Sequence, residues 1–221
     1  MNFTTQHALA AIVAIALISL YIWTLRTRKQ HPADAPAAHI FLGLETLGIK
    51  QDAPILVIAA YAVDSLGNKI ARNCWRIDPA NAKLYGEPDP ATVKWWSEQS
   101  EYAQELAFKQ GPRLDLPEAL AGLEAFIKPL ADKYGDQCFV WGNAPTFDCS
   151  ILRYAYEVVG SDVPWEYWQE RDVRTVAWLG KWAGHDAKKL LEFKGEPHVA
   201  LDDARHQSRY TIEILNELGG R

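Results

Sequence analysis

The sequence has few cysteines, and their spacing excludes two kinds of site. Only three occur in 221 residues, at Cys74, Cys138 and Cys149. No Cys-x-x-Cys pair is present, so the sequence indicates neither a zinc site built from thiolates nor a disulfide framework. Unpaired thiols are typical of proteins in a reducing compartment.

Charge is absent from the beginning of the chain. Residues 1–25 contain no Lys, Arg, Asp or Glu, and residues 8–25 form the uncharged run ALAAIVAIALISLYIWTL. As a helix this run would span about 27 Å, close to the thickness of the hydrocarbon core of a bilayer. Tyr21 and Trp23 stand near its end, where interfacial aromatic residues are common. The sequence therefore predicts one transmembrane helix within residues 1–29.

Basic residues flank this run on its C-terminal side alone. Arg26, Arg28 and Lys29 follow it directly, and the positive-inside rule then predicts a single-pass protein whose C-terminal domain is cytoplasmic. The alternative is a cleaved signal peptide, but the basic n-region is missing and the apolar run is longer than usual. Residues 30–38 predict a short, stiff linker, and residues 39–221 predict one C-terminal domain.

Positive charge is scarce in the rest of the chain. Of the 23 Lys and Arg residues, three belong to the flank just described, which leaves 20 against 28 Asp and Glu, a net charge of −8. Such an acidic domain does not bind nucleic acid through a broad basic surface. A narrow groove with bound cations remains compatible with this balance.

Alternating strand and helix patterns fill the C-terminal domain. Apolar, β-branched segments predict strands, and a 3.6-residue periodicity predicts helices. The predicted strands are 39–44, 54–63, 69–77 and 137–141, and the predicted helices are 92–107, 116–134, 146–159 and 201–218, with 173–182 mixed or helical. A turn at residues 64–68 joins the second and third strands, so the first three form an antiparallel meander. The pattern predicts an α/β fold, a mixed sheet with helices on its faces.

Three acidic residues stand beside the ends of predicted elements. Glu45 follows the first strand, Asp148 follows the fourth, and Asp203 lies near the start of the last helix, five residues after His198. Carboxylates without cysteine partners suit hard cations such as Mg²⁺ or Mn²⁺. Two such ions about 4 Å apart can stabilise both oxygens of an in-line phosphoryl displacement. His198 suits a general base that takes a proton from water.

Each of these residues also has an ordinary structural explanation. An acid at a helix start is commonly a cap, which would explain Asp203. An isolated histidine such as His198 is more often a surface or packing residue. Their combination and order in the chain favour a functional site.

This combination resembles the DEDDh group of 3'-5' exonucleases, especially its small bacterial and phage exoribonuclease branch. The resemblance covers about residues 39–216 and is carried by several motifs in order. They are Gly43-Leu44-Glu45-Thr46, Trp141-Gly142-Asn143 with Phe147-Asp148, and His198, Ala200, Asp203 and Ala204, with weaker similarity at 92–96, 99–100, 164–165 and 173–175. The resemblance implies an RNase H-like mixed sheet with helices on both faces.

The resemblance also implies roles for particular residues. Glu45, Asp148 and Asp203 would be metal ligands, and His198 and Glu45 would be catalytic. The substrate would be the 3' end of RNA or single-stranded DNA. Its expected binding residues are Thr46, Trp96, Asn143 and Arg174, although Trp95 and Trp96 face directions about 100° apart and at most one can line a groove. Members of this group often form dimers, so the resemblance also implies a homodimer.

One position departs from the family pattern. Gly43 occupies the place of the first acid in the acid-x-acid motif, which in the family is an Asp that bridges both metals. Glycine has no side-chain ligand, so the sequence predicts an impaired two-metal site. Two hypotheses therefore stand: a membrane-anchored 3'-5' exonuclease, or a pseudonuclease that binds nucleic acid or a protein without cutting.

Overall fold

The computed structural model describes residues 36–220 and the single position Leu17. Contacts divide the chain into two units, Met1–Ala35 and Pro36–Arg221. The predicted membrane helix lies outside the described residues apart from Leu17, as does most of the predicted linker. None of the helices within the described part of the chain has the length and apolar character needed to cross a membrane.

A five-stranded mixed sheet organises the C-terminal unit. Its strands are β1 (Ala38–Thr46), β2 (Ile55–Asp64), β3 (Lys69–Arg76), β4 (Cys138–Gly142) and β5 (Glu170–Asp172), in the spatial order β3-β2-β1-β4-β5. The pairs β1–β2 and β2–β3 are antiparallel, so the predicted meander is confirmed. The pairs β1–β4 and β4–β5 are parallel.

Helices connect and cover the strands. They are α1 (Pro79–Ala82), α2 (Pro90–Ser97), α3 (Glu101–Phe108), α4 (Leu116–Tyr134), α5 (Asp148–Val158), α6 (Val173–Trp182), α7 (Ala187–Leu190) and α8 (Ala200–Leu218). Short 3₁₀ segments lie at Gly135–Gln137 and Tyr167–Gln169. The bounds of α4 are those that the periodicity predicts.

The prediction of a single helix over residues 92–107 is wrong, because the structure forms two helices there. Asp89 caps α2, and its carboxylate accepts a hydrogen bond from the Ala91 amide at 2.9 Å. Ser100 then caps a new helix, its hydroxyl accepting from the Ala103 amide at 3.2 Å. A serine followed by an acid is a helix start signal, and here it interrupts an otherwise continuous pattern.

The alternation of β1 determines which residues reach each face of the sheet, because successive side chains point to opposite sides. Ala38, Ile40 and Leu42 pack in the apolar core that also contains α4 and α5. Phe41 points to the other face, toward residues of α6 and α8. Helices therefore cover both faces, as predicted. Gly43 and Glu45 share the phase of Phe41 and lie on the α8 side.

Candidate active site

Seven of the residues predicted for the site line one cavity of about 630 Å³. It lies where the carboxyl end of β1 meets the loop after β4 and the first turn of α8. The predicted residues in its wall are Glu45, Thr46, Asn143, Asp148, Arg174, His198 and Asp203. Their chemical roles remain predictions, but the structure does bring them together from distant parts of the chain.

Glu45 is buried beside two other carboxylates. It is 8% exposed and lies near the end of β1, on the face of the strand that points toward α8. Burial raises its pKa well above the ordinary value, and the negative charges of Asp203 and Asp148 raise it further. A hydrogen bond from the backbone amide of Ala200 opposes this rise. A group whose ionised form is so disfavoured is suited to neutralisation by a cation.

Asp148 begins α5 directly after the β4 loop. Its Oδ2 accepts hydrogen bonds from the backbone amides of Asn143 at 2.9 Å and Ala144 at 3.5 Å. Burial raises the pKa of Asp148 to about 6, although these amide bonds and the charge of Arg174 lower it. Asn143 therefore contributes at least its backbone to the site, since that amide holds Asp148 in place.

Asp203 and His198 are coupled through the start of α8. Oδ2 of Asp203 accepts a hydrogen bond from the His198 amide at 3.2 Å. Burial raises the pKa of Asp203 to about 6, and the His198 side chain and amide lower it. His198 has a φ of 64°, the one positive value at a non-glycine position among the described residues. This left-handed conformation is costly for a histidine, and such strain concentrates at functional sites.

Trp95, and not Trp96, faces the cavity. The indole of Trp95 is 38% exposed and meets the His198 ring edge-to-face, with centroids 4.9 Å apart. Trp96 is 2% exposed, and its Nε1 donates to the Thr46 carbonyl at 2.9 Å. The predicted binding residue Trp96 is thus buried away from the cavity, and Trp95 is the tryptophan that lines it. Within α2, Trp96 is the buried residue.

Thr46 and Arg174 differ in how free their side chains are. The Thr46 hydroxyl donates to the Gly48 carbonyl at 2.6 Å, so it is committed to the turn after β1. Arg174 lies in the first turn of α6, exposed at the cavity wall. Within the described part of the chain, its guanidinium makes no ion pair within 4 Å. Arg174 is thus the cationic side chain at this cavity that is available to an anion.

Gly43 lies against the backbone of α8. A Cβ built on Gly43 would stand 2.4 Å from the Ala200 carbonyl oxygen and 3.1 Å from its carbonyl carbon. Real Cβ atoms do not approach this closely, so any side chain at position 43 requires α8 to move. The close approach is a feature that the sequence motif does not reveal, because it depends on a contact between residues 157 positions apart.

The carboxylates fit metal binding only in part. Their oxygens are the donors that hard divalent cations prefer. Among residues 36–220, however, no three His, Cys, Asp or Glu side chains are arranged closely enough to hold an ion as they stand. Three carboxylates that repel one another, without a fourth at position 43, form an incomplete version of a two-metal site.

Comparison with known protein families identifies the family of this chain. The sequence matches the family model of the Rv2179c-like 3'-5' exoribonuclease domain over residues 38–215. The chain belongs to this family. No curated protein matches it.

Solved structures of DEDDh exonucleases share the fold of this family member. The nuclease domain of 3'hExo, a DEDDh family member bound to rAMP, aligns with a TM-score of 0.56 and 9% identity, covering 82% of this chain and 93% of that one. E. coli exonuclease I in complex with a dA16 oligonucleotide aligns with a TM-score of 0.57 and 16% identity, covering 82% and 41%. Exonuclease I from Methylocaldum szegediense gives 0.55 and 16%, covering 82% and 40%.

These similarities show a shared fold, and for exonuclease I the similarity covers only part of the longer protein. The chain spans about two fifths of the length of the exonuclease I chains. The family match makes it a 3'-5' exoribonuclease-type domain, and its fold is that of the solved exonucleases of the DEDDh group. Divalent metal dependence is a property of that group.

Proposed function

We propose that this chain is a membrane-tethered 3'-5' exonuclease that removes nucleotides from single-stranded RNA or DNA, using one divalent cation where relatives use two. The observation that carries the proposal is the convergence of Glu45, Asp148, Asp203 and His198 on one cavity. A purely structural role does not require three buried or half-buried acids whose pKa values are all raised by burial.

Glu45, Asp148 and Asp203 would hold the cation, for which Mg²⁺ and Mn²⁺ are the candidates. When bound, the cation supplies Lewis-acid stabilisation of the charge on the phosphoryl oxygens. Rotation of these side chains is needed first, since they do not form a ligand cluster as they stand. With Gly43 in place of a fourth carboxylate, we expect a weaker site and slower cleavage.

His198 would take the proton from the attacking water. Its ring is exposed to solvent, and Trp95 supports it from the side. The hydrogen bond from its own amide to Asp203 fixes the backbone that carries the ring. Arg174 would contact a phosphate, and the exposed face of Trp95 would lie beside the terminal nucleoside.

The tether rests on the sequence of residues 1–29. An uncharged run of membrane-spanning length followed by three basic residues supports a single-pass anchor with the nuclease domain in the cytoplasm. Extraction of membranes with alkaline carbonate tests it. A spanning chain stays in the pellet, whereas release into the supernatant refutes the anchor.

Cleavage is tested with the full chain in detergent. Single-stranded RNA and DNA labelled at the 5' end are incubated with Mn²⁺ or Mg²⁺, and a ladder that shortens from the 3' end is expected. Asp148→Asn should reduce the rate by at least about 100-fold. Asp132→Asn, the same change at an exposed position of α4, is the matched control and should cut like the wild type.

A pseudonuclease is the second candidate, and Gly43 favours it. The Ala200 carbonyl occupies the space that a side chain at position 43 would need. This candidate predicts that the oligonucleotide is bound but that neither Mn²⁺ nor Mg²⁺ supports shortening. Shortening by the wild type that Asp148→Asn abolishes refutes the pseudonuclease, and binding without shortening refutes the enzyme.

A further inference from the structure

Two tryptophans stand exposed on α6, on the face that also carries Arg174. Trp178 is 60% exposed and Trp182 is 76% exposed. Residues four apart lie on the same side of a helix, so Arg174, Trp178 and Trp182 form one stripe. The helical rise places Trp182 about 12 Å from Arg174 along the axis. The stripe therefore begins at the wall of the candidate active site and leads away from it.

The two indoles are nearly parallel. Their planes differ by 23° and their centroids are 6.4 Å apart. Stacked bases are separated by about 3.4 Å, so one planar base between two rings needs a spacing of about 6.8 Å. The distance between the two ring centroids, 6.4 Å, is close to that value.

Local charge at the stripe differs from the charge of the domain. The exposed residue between the two tryptophans is Lys181, and Lys188 and Lys189 are exposed on α7, which packs beside α6. The nearby acid Asp172 is committed to the helix cap, where it accepts bonds from the Arg174 amide at 2.9 Å and the Thr175 hydroxyl at 2.5 Å. In a domain with excess acid, this face presents aromatic rings and cations.

We propose that Trp178 and Trp182 form a stacking slot for a base of the single strand whose 3' end lies in the cavity. Aromatic rings that stack bases, beside cations that meet phosphates, are the usual elements of single-strand binding. This slot rests on the proposed function, because it needs nucleic acid in the neighbouring cavity. Its continuity with that cavity through Arg174 favours a strand over a lipid surface or a second copy as the occupant.

Binding of oligonucleotides by the full chain in detergent tests the slot, with EDTA present to prevent cleavage. The probes are a fluorescein-labelled dinucleotide and an octanucleotide of single-stranded RNA, and the readout is fluorescence anisotropy. The double variant Trp178→Ala/Trp182→Ala should bind the octanucleotide about 5- to 100-fold more weakly than the wild type does, because base stacking on an aromatic ring contributes on this scale. The dinucleotide, which fits within the cavity, should bind equally to both proteins.

Two controls separate stacking from other effects. Trp168→Ala removes an indole that is 50% exposed outside this stripe, and it should leave both affinities unchanged. Trp178→Phe/Trp182→Phe keeps two aromatic faces and should bind the octanucleotide much as the wild type does. Sedimentation of each variant in the same detergent reports the oligomeric state.

Several results would overturn the slot. Octanucleotide affinity that falls no further in the double Ala variant than in Trp168→Ala refutes it, and so does an equal loss for the dinucleotide. Loss of a dimer with unchanged octanucleotide affinity assigns the face to a second copy instead. A wild type that binds neither probe and shortens no RNA or DNA with Mn²⁺ or Mg²⁺ refutes the proposed function itself, a result distinct from failure of the slot alone.

Discussion

At the scale of single residues, Gly43 stands where a carboxylate is expected, and a side chain at this position has two opposing effects on stability. Alanine normally stabilises a strand relative to glycine by about 0.5–1 kcal/mol. Here its Cβ would stand 2.4 Å from the Ala200 carbonyl oxygen, a backbone atom that cannot rotate away. Overpacking of this kind costs about 1–3 kcal/mol, so the clash outweighs the propensity gain.

We therefore expect Gly43→Ala to lower the free energy of unfolding by roughly 1–2 kcal/mol, measured by urea denaturation. Gly48→Ala is the matched control, because the nearest atom to its Cβ would be the Ala53 Cβ at 3.2 Å, with the Ala53 Cα and the Asp89 Cβ at 3.6 and 3.8 Å, so the loss should be smaller. By the same reasoning Gly43→Asp should not restore fast cleavage. A Gly43→Asp protein that is as stable as the wild type and cuts at least about tenfold faster would contradict this packing argument.

The buried imidazole of His39 predicts a pH dependence of stability. Its Nδ1 accepts a hydrogen bond from the Trp141 indole at 3.1 Å, which requires the neutral ring. Burial lowers its pKa from 6.5 to about 4, and the charge of Arg171 contributes to this. A lowered histidine pKa favours the fold when the ring is neutral. The stabilisation is thus complete above the unfolded value of 6.5 and is lost as the pH falls toward 4.

Comparison of the wild type with His39→Gln between neutral pH and about pH 4.5 measures this contribution by urea denaturation. The wild type should lose about 2 kcal/mol more than the variant over this range. Asp148 and Asp203, whose raised pKa values act in the opposite direction, are common to both proteins and cancel in the difference. Parallel profiles would show that His39 does not titrate differently in the folded state.

At the scale of helices and strands, sequence patterns identify long elements and miss short or interrupted ones. The 19-residue α4 keeps one apolar stripe from end to end, so its bounds follow from periodicity. The three residues of β5 are too few to show alternation, and parallel pairing with β4 alone defines that strand. A four-residue helix such as α7 gives an equally weak signal. Strand pairing of this kind depends on tertiary contacts.

The cap of α3 is an element whose loss should affect both stability and the site. Ser100 accepts from the Ala103 amide at 3.2 Å, and its hydroxyl also donates to Glu196 Oε1 at 2.7 Å. Ser100→Ala should therefore cost about 1 kcal/mol and loosen the loop that leads to His198. Thermal unfolding and limited proteolysis of that loop measure the two effects. Ser97→Ala, at the end of α2, removes only a local bond to Lys94 and should change stability by less than about 0.5 kcal/mol.

At the scale of the whole molecule, topology assembles the site and the sequence shows only its parts. Parallel pairing of β1 with β4 brings Glu45 near Asp148, and the packing of α8 on β1 adds Asp203. The ordered motifs are enough to predict this convergence by resemblance. They are not enough to show that Ala200 closes on Gly43 or that Trp95 turns outward, because both depend on how helices pack on the sheet.

The acidic balance of the molecule makes a final prediction about nucleic-acid affinity. Single-strand binding usually weakens steeply with salt, with a slope of about −0.7 per phosphate contact in log affinity against log salt. Outside the N-terminal basic flank, 20 basic residues face 28 acidic ones, so few contacts to phosphate are available. With Arg174 and Lys181 as the main contacts, the slope for a single-stranded octanucleotide should be about −1.4 between roughly 50 and 200 mM salt. Arg174→Ala should reduce it by about 0.7, whereas a wild-type slope steeper than about −4 would reveal a broad basic surface that this charge distribution excludes.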